Sequence, residues 1–339
     1  MRARVERFAR RWWAGELGWR GTALRVATAP LSWGWQAAVA ARGRAASHDP
    51  PRRVEGVRVV SVGNLAVGGT GKTPVAAWIA DRLEERGLAT AIVVGGAAAD
   101  EAALQRRWRP ERVVLVDRDR TRATERAREG GARAVVLDDA FQHRRLARDL
   151  DVVLLSADDP FPGPLLPRGP YREPARALAR ADAVVVTRRD ATPEAARGVA
   201  ERAAEHAPGR VVAGAALTPA GWLRLGDPRS ATLQPGPVEV LAVCGVARAD
   251  AFRRAATRSG VAAAELVAFA DHHAYGPADV VRLNERAAGR PIGMTEKDAV
   301  KLERWKEELG EAWVLMEELR WDWGETQLVD RLASRAGAR

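Results

Sequence analysis

Residues 61–73 read SVGNLAVGGTGKT, the most specific pattern in the chain. They follow an apolar run at 57–62 and open an amphipathic segment at 73–86 that ends before Gly87. The order is therefore strand, glycine-rich loop and helix, which is the context of a phosphate-binding P-loop. The strict P-loop pattern begins with glycine where this chain has Ala66, but the tail GGTGKT is complete. The segment predicts that the chain binds a nucleoside triphosphate.

The residues of this loop have separate expected roles. Glycine lets backbone N–H groups approach phosphate oxygens, and the start of the helix adds a favourable partial charge. Lys72 is expected to reach the β- and γ-phosphates, and the hydroxyl of Thr73 is expected to ligate Mg²⁺. The predicted nucleotide-binding residues are Gly68, Gly69, Thr70, Gly71, Lys72 and Thr73.

A second motif, VVLDD at 135–139, is an apolar strand that ends in two acids. Proteins with a P-loop hold Mg²⁺ with a carboxylate at the C-terminal end of a neighbouring strand. Any parallel strand can end in Asp, so this assignment depends on the P-loop. We expect Asp138 to hold the metal together with Thr73, and Asp139 to take part in catalysis beside it.

Polar residues that could meet a substrate follow the two acids and recur in a proline-rich loop. The loop, GPLLPRGPYREP at 163–174, is either a surface connection or an anion clamp near the C-terminal edge of the sheet. We assign four residues to substrate binding, namely Gln142, His143, Arg172 and Glu173.

Apolar runs and amphipathic segments alternate along the chain from residue 57 onward. Near-continuous Val and Leu strands between helices indicate a parallel sheet covered on both faces. We predict an α/β fold with a core of the P-loop NTPase type and a second, smaller α/β lobe. The expected segments are an N-terminal helical segment at 1–50, a nucleotide-binding core at 51–210, a β-hairpin hinge at 211–236 and the smaller lobe at 237–339.

Composition and charge limit the possible classes of function. Of 339 residues, 47% are hydrophobic and 29% are charged, and Cys244 is the single cysteine. These values exclude a disordered chain, a membrane bundle and a disulfide framework, and they suit a reducing cytosol. The net charge is +10, but no recognised DNA or RNA motif accompanies it, so we expect no nucleic-acid partner. We expect a monomer.

The first 45 residues carry nine arginines against two glutamates, along with five tryptophans. Arg25, Pro30 and Gln36 interrupt the longest apolar stretch, which argues against a membrane-spanning helix. The segment is either an amphipathic helix on an anionic membrane surface or a helix packed on the domain with tryptophan in the core. We favour the membrane surface.

The motifs occur in one order along the chain: the P-loop, LDDAFQH at 137–143, LLPRGPYREP at 165–174, DHH at 271–273 and MTEKD at 294–298. This set resembles the tetraacyldisaccharide 4'-kinases, the lipid A 4'-kinases of Gram-negative-type bacteria. The resemblance implies a peripheral kinase at the cytosolic face of the inner membrane. It implies transfer of the γ-phosphate of ATP, with Mg²⁺, to the 4'-hydroxyl of a tetraacylated glucosamine disaccharide 1-phosphate.

The resemblance also implies a catalytic base and its partner. In the family an Asp accepts the proton, paired with the His of the Asp-His-His segment, which places Asp100 and His272 in these roles. Glu101 and Asp139 would order the groups around the metal. Arg172 would neutralise either the transferred phosphoryl group or the 1-phosphate of the substrate.

One segment departs from the family pattern. Where the family carries a Ser-Arg-Gly-Tyr-Gly motif, residues 92–96 read IVVGG and run almost directly into the acidic pair Asp100 and Glu101. The Arg and Tyr are missing, and the loop is shorter. A non-catalytic relative therefore remains an alternative, and a P-loop switch or assembly ATPase of the partitioning or metallochaperone kind is another.

Overall fold

The computed structural model describes residues 2–48, 50–96, 99–246 and 248–334. The helices are α1 (Arg2–Trp13), α2 (Gly18–Ala27), α3 (Ala29–His48), α4 (Lys72–Glu84), α5 (Ala99–Trp108), α6 (Arg120–Glu129), α7 (Pro193–His206), α8 (Ala249–Arg258), α9 (Pro277–Ala287), α10 (Glu296–Leu302) and α11 (Glu325–Ser334). The strands are β1 (Arg58–Asn64), β2 (Thr90–Val94), β3 (Val113–Val116), β4 (Ala134–Asp138), β5 (Leu150–Ser156), β6 (Ala183–Arg188), β7 (Val211–Arg224), β8 (Glu239–Cys244), β9 (Ala262–Ala268), β10 (Ile292–Thr295) and β11 (Ala312–Trp323).

The described chain forms two compact units. The first, the P-loop unit, contains residues 4–48, 50–96, 112–216 and 321–334. Its strands follow the order β3-β2-β4-β1-β5-β6-β7, and the neighbours are parallel. Strands β1, β2, β4 and β5 are buried along their whole length, as expected when helices cover both faces. The predicted α/β class with a parallel sheet is confirmed.

Strand register brings the chemistry-bearing motifs to one edge of this sheet. Val62 of β1 is the partner of Asp138 on β4, and Asn64 is the partner of Leu154 on β5. Because the strands are parallel, the loop after β1 and the acids after β4 leave the sheet at the same edge.

The second unit, the C-terminal unit, contains residues 2–3, 99–111 and 217–320, apart from residue 247. Its strands follow the order β11-β10-β8-β9 with parallel neighbours. Helix α5 belongs to this unit, although it lies between β2 and β3 in sequence. The units are thus not contiguous in sequence, whereas the predicted segments are. The predicted boundaries stay a prediction.

The hairpin expected at 211–236 is wrong in its first half, because residues 211–224 form the single strand β7. The segment Thr218–Ala220 was expected to turn, since proline is common in turns. Beyond it, however, Trp222 and Leu223 are fully buried in the C-terminal unit. Burial of these side chains favours an extended backbone, and Pro219 removes only one ladder donor.

The N-terminal segment forms helices α1 to α3, which pack partly on the P-loop unit. Trp12 is buried, the indole N–H of Trp13 donates to the Pro167 carbonyl at 2.9 Å, and that of Trp35 donates to the Arg172 carbonyl at 3.0 Å. Other apolar side chains of the segment are exposed, with Trp19 at 77% and Trp33 at 63%. Among the described residues, no helix is both long and apolar enough to cross a membrane.

Candidate active site

The loop between β1 and α4 has the backbone conformation that the P-loop pattern predicts. Gly68 has φ +120° and Gly71 has φ +79°, conformations that side chains with a Cβ rarely adopt. Gly71 is the residue before α4, so Lys72 and Thr73 are the first two residues of the helix. The N-terminal end of an α-helix carries a positive partial charge, so a phosphate group is favoured at this end of α4.

Two polar side chains hold Thr70 of the loop from neighbouring strands. Asn64 donates from Nδ2 to the Thr70 hydroxyl at 2.8 Å, and the Thr187 hydroxyl donates to the Thr70 carbonyl at 2.8 Å. All three residues are buried. Buried hydrogen bonds therefore hold both the hydroxyl and the carbonyl of Thr70 in place.

Strand β1 approaches the segment after the acids so closely that only glycine fits at position 63. A Cβ on Gly63 would lie 2.6 Å from both Cβ and N of Phe141. The amide N–H of Ala140 also donates to the Val62 carbonyl at 3.2 Å. The P-loop strand and the acidic segment are therefore packed in direct contact.

The two acids after β4 have different environments. Asp138 is the last residue of β4 and is buried, with 2% of its surface exposed. Asp139 has φ +54° and a side chain that is 42% exposed. Its Oδ1 lies 3.8 Å from Lys72 Nζ and accepts a hydrogen bond from Arg172 Nη2 at 2.9 Å. Burial raises the pKa of Asp139, but these two cations outweigh it and hold the pKa below its usual value.

Three of the four residues assigned to substrate binding, Gln142, Arg172 and Glu173, are joined in a hydrogen-bond network through Asn64. Gln142 donates from Nε2 to the Asn64 carbonyl at 2.9 Å and to Glu173 Oε1 at 3.0 Å. Arg172 also donates to the Asn64 side-chain oxygen. Burial lowers the pKa of His143, and the nearby Arg120 lowers it further, so its neutral form is favoured. The structure brings all four residues to the P-loop edge.

The donor set for a metal is small. Among the described residues, no group of three or more His, Cys, Asp or Glu side chains could hold a metal by itself. The Thr73 hydroxyl and the Asp138 carboxylate are oxygen donors, at the start of α4 and the end of β4. Mg²⁺ prefers oxygen ligands and completes its shell with waters and substrate phosphates, so this pair fits it.

The C-terminal unit holds Asp100 and His272 in contact, the pair that the family resemblance implied. His272 Nδ1 lies 3.2 Å from Asp100 Oδ2, although 172 positions separate the two residues. Asp100 is the second residue of α5, and His272 follows β9 with φ +60°. The hydrogen bond to Asp100 raises the pKa of His272. Burial raises the pKa of Asp100, but His272, Lys301 and Lys297 together hold it below its usual value.

Glu101, expected near the metal, instead meets a cation of its own unit. Its Oε1 lies 3.0 Å from Lys297 Nζ and 4.0 Å from His272 Nε2. Residues 97 and 98, in the shortened loop just before α5, lie outside the described residues.

Both His272 and Asp139 are non-glycine residues with positive φ, a backbone strain that proteins often hold at functional sites.

The sequence did not single out three residues that the structure places at these sites. Asn64 is a fully buried amide at the end of β1, and Lys301 contacts Asp100. Arg120 is buried, and its Nη2 lies 3.5 Å from the Asp138 carbonyl, within hydrogen-bond range. A signal for Arg120 exists in the sequence, because Asp119 caps α6 directly after β3, at the same sheet edge.

A glycine-rich loop from a buried parallel strand to a helix, with a lysine at the helix start and acids on the neighbouring strand, defines a protein of the P-loop NTPase fold. Comparison with known proteins narrows this class. A family model described as "Tetraacyldisaccharide-1-P 4'-kinase" matches residues 24–99 and 94–336. The chain belongs to this family, and it is therefore a kinase of lipid A biosynthesis. The switch or assembly ATPase is not favoured.

Individual relatives agree with this assignment. The tetraacyldisaccharide 4'-kinase of Anaeromyxobacter dehalogenans (strain 2CP-C) is 40% identical over 337 residues, which cover 86% of this chain and 85% of the relative. The tetraacyldisaccharide 4'-kinase of Halorhodospira halophila is 36% identical over 306 residues, which cover 84% of this chain and 85% of the relative. In fold, the chain is similar to a crystal structure of the "apo" form of LpxK from Aquifex aeolicus in complex with ATP. The TM-score is 0.70 and the sequence identity is 24%, and the match covers 92% of this chain and 99% of that chain. The two matched segments of the family model meet at 94–99, where the shortened loop lies.

Proposed function

We propose that this chain transfers the γ-phosphate of ATP to the 4'-hydroxyl of a tetraacyldisaccharide 1-phosphate. The observation that carries the proposal is the contact between Asp100 and His272 in a member of this kinase family. Transfer to an alcohol releases the proton of that alcohol, and an Asp–His pair is suited to receive it. The relative from Aquifex aeolicus was crystallised in complex with ATP, which supports ATP as the donor.

The P-loop unit supplies the donor half of the proposed reaction. Backbone N–H groups of residues 68–73 bind the phosphates, and Lys72 neutralises the charge on the β- and γ-phosphates. Asp139 holds the Lys72 ammonium and the Arg172 guanidinium at its Oδ1 before the nucleotide binds. Thr73 and Asp138 would hold Mg²⁺, which supplies charge neutralisation on the phosphates.

The C-terminal unit supplies the proton acceptor. As the bond forms between the 4'-oxygen and the γ-phosphorus, the bond from that phosphorus to the β,γ-bridging oxygen breaks and ADP leaves. The proton of the 4'-hydroxyl passes to the Asp100 carboxylate. The transition state of phosphoryl transfer is loose, so proton transfer is late and the position of the carboxylate matters more than its basicity.

His272 and Arg172 have supporting roles in this proposal. A protonated His272 holds one oxygen of Asp100 and keeps the carboxylate ionised, in agreement with the direction of both pKa shifts. Arg172 neutralises the transferred phosphoryl group or the 1-phosphate of the acceptor. Asn64 and Asp139 hold its guanidinium in place.

We further propose that helices α1 to α3 bind the cytosolic surface of the inner membrane peripherally. The exposed apolar residues of this segment are Val5, Phe8, Trp19, Val26, Leu31 and Trp33. Tryptophan suits the headgroup region, and the arginines of the segment suit anionic lipid. The packed tryptophans anchor the segment to the P-loop unit, so membrane binding would hold the enzyme where an acylated acceptor resides.

The membrane proposal is tested with two kinds of tryptophan variant. Trp19→Ser combined with Trp33→Ser should weaken cosedimentation with phosphatidylglycerol vesicles at least severalfold and leave the melting temperature nearly unchanged. The matched control, Trp13→Phe, loses the hydrogen bond to the Pro167 carbonyl and should lower the melting temperature without changing vesicle binding. Unchanged cosedimentation of the double variant would contradict the proposal.

The kinase proposal is tested by following radiolabel from γ-labelled ATP into a purified tetraacyldisaccharide 1-phosphate in mixed micelles. Labelled lipid should form with the wild-type chain and form about 100-fold or more slowly with Lys72→Ala. ATP hydrolysis that does not depend on added lipid, with no labelled lipid at saturating substrate, would refute the kinase function and favour a nucleotide switch.

A further inference from the structure

Lys301 lies behind the carboxylate of Asp100, in the same unit. Its Nζ is 3.5 Å from Asp100 Oδ2, and the side chain is only 12% exposed. His272 Nδ1 meets the same oxygen at 3.2 Å. Among the described residues these contacts all fall on Oδ2, so Oδ1 is the oxygen that remains for an acceptor hydroxyl.

A buried carboxylate holds Lys301 in this position. Asp298 is fully buried, and its Oδ1 lies 3.2 Å from Lys301 Nζ. The same Oδ1 accepts hydrogen bonds from the Gly245 amide and the Tyr275 hydroxyl, both at 2.9 Å. The Thr295 hydroxyl donates to Oδ2 at 2.6 Å. Three hydrogen bonds fix the position of this carboxylate, and its negative charge holds the Lys301 ammonium beside it as an ion pair.

The lysine is therefore ordered before the acceptor arrives. Asp298 and Lys301 are three residues apart on α10, so both point to one side of the helix. The Lys301 ammonium also lies 5.4 Å from the centre of the Tyr275 ring, within the range of a cation–π contact. A free lysine side chain has several rotatable bonds, and burial has already removed that freedom.

We propose that Lys301 is a positioning residue for phosphoryl transfer, which holds Asp100 Oδ2 through a chain of alternating charges from Asp298 to Lys301 to Asp100 to His272. The inference rests on the proposed function, in which Asp100 receives the proton of the acceptor. Lys301 acts by keeping the Asp100 carboxylate ionised and directing Oδ1 away from α10.

The electrostatic part follows from the groups that face Asp100. They are Lys297 and Lys301 on α10 and His272 after β9. Glu101 and Asp271 lie next to these cations, within 4.0 Å of His272 Nε2 and 3.7 Å of Lys297 Nζ. Burial raises the pKa of Asp100, and His272, Lys301 and Lys297 lower it. Without Lys301 the carboxylates of Asp298 and Asp100 lose the cation between them, so the pKa of Asp100 rises.

The test is Lys301→Met, assayed by single-turnover transfer of radiolabel from ATP to the lipid acceptor as a function of pH. We expect the rate to fall about 10- to 100-fold, as for a misplaced reacting group, with the KM for ATP within about twofold of wild type. The acidic limb of the rate profile should move to higher pH, because Asp100 must be ionised to accept a proton. Lys301→Arg keeps the charge and should recover part of the rate.

Arg107→Met is the matched control. Arg107 also ties α5 to the C-terminal unit, through Glu303 at 2.7 Å and the Asp227 carbonyl at 3.0 Å, but it does not contact Asp100. A purely structural tether would therefore behave alike in both variants. We expect Arg107→Met to lower the melting temperature and to leave the acidic limb of the pH–rate profile at the same pH as in wild type.

A second variant covers the case in which Lys301→Met does not fold because Asp298 is left buried without its cation. The double variant Asp298→Asn with Lys301→Met removes both charges, and we expect it to fold and to show the same loss of rate and the same shift of the limb. If a folded variant shows the acidic limb of its pH–rate profile at the same pH as wild type, the inference is overturned. If Asp100→Asn is fully active, or wild type labels no lipid, the proposed function itself fails, which is a distinct result.

Discussion

The strongest prediction concerns the coupling between Asp100 and His272. Because His272 has φ +60°, alanine would add backbone strain, whereas asparagine tolerates this conformation. The informative changes are therefore Asp100→Asn, His272→Asn and the double variant. Each removes one partner of the 3.2 Å contact and keeps a side chain of similar size.

The structure indicates that loss of the Asp100–His272 contact has a large effect on the phosphoryl-transfer rate and a small effect on the free energy of unfolding. The side chains are 17% and 36% exposed, so the pair stabilises the fold by no more than about 1 kcal/mol. Loss of a general base lowers a rate by roughly 10²–10⁴-fold, and we expect this range for Asp100→Asn. His272→Asn should cost less, about tenfold, because the histidine acts through the carboxylate. The double variant should be little worse than Asp100→Asn alone.

The pH dependence of the pair follows from its two pKa shifts. The pKa of Asp100 lies below its usual value and that of His272 lies above it. Both groups are thus charged in the window between these values, and the contact contributes to stability there. The contribution is lost as the pH falls through the pKa of Asp100 or rises through that of His272.

The assay is single-turnover transfer from γ-labelled ATP to the lipid acceptor, with ATP affinity and melting temperature measured on the same preparations. Multiplicative losses in the double variant would mean that the two residues act independently, which would refute the pair as a unit. Full activity of Asp100→Asn would transfer the role of base to another acid, and Asp139 would be the first to test.

Three further predictions concern other parts of the chain. Lys72→Ala should lower the transfer rate by about 100-fold or more, as loss of one preorganised charge contact does, with the fold retained; transfer within threefold of wild type would contradict the nucleotide assignment. Gly63→Ala places a Cβ 2.6 Å from Phe141 and should destabilise the P-loop unit by about 1–3 kcal/mol in urea unfolding; an unchanged midpoint would contradict that close approach. Burial raises the pKa of Glu296 to about 7 despite Arg229, so wild type should lose up to about 3 kcal/mol as the pH rises from about 4.5 to 7; Glu296→Gln should remove this loss, and parallel melting profiles for the two proteins would contradict it.

The nucleotide half of the site could be predicted from the sequence because its parts are local. The loop conformation depends on glycines at 68 and 71, and the positions of Lys72 and Thr73 depend only on the helix that begins there. The parallel sheet was predictable for a similar reason, since strands buried on both faces are continuously apolar. Asp138 then falls beside Val62 once the strand order is correct.

The proposed acceptor half was named from the resemblance, whereas the contact between its residues comes from tertiary packing. Asp100 and His272 are 172 positions apart, and no periodicity or spacing relates them. The contact exists because α5 packs in the C-terminal unit, outside the run of strands that surrounds it in sequence. The roles of Lys301 and Asp298 depend on that packing as well, since a lysine on an isolated helix would extend into water.

In the first half of the expected hairpin, the local sequence favours one backbone conformation and tertiary packing imposes another. The residues Thr218–Ala220 favour a turn locally, yet the chain stays extended because Trp222 and Leu223 bury in the core of the C-terminal unit. By itself, the sequence determined the P-loop pattern and the α/β class, and the family resemblance supplied the proposed catalytic acids and histidine. The tertiary structure decided which of these side chains meet, because burial and charge pairing act between residues that are distant along the chain.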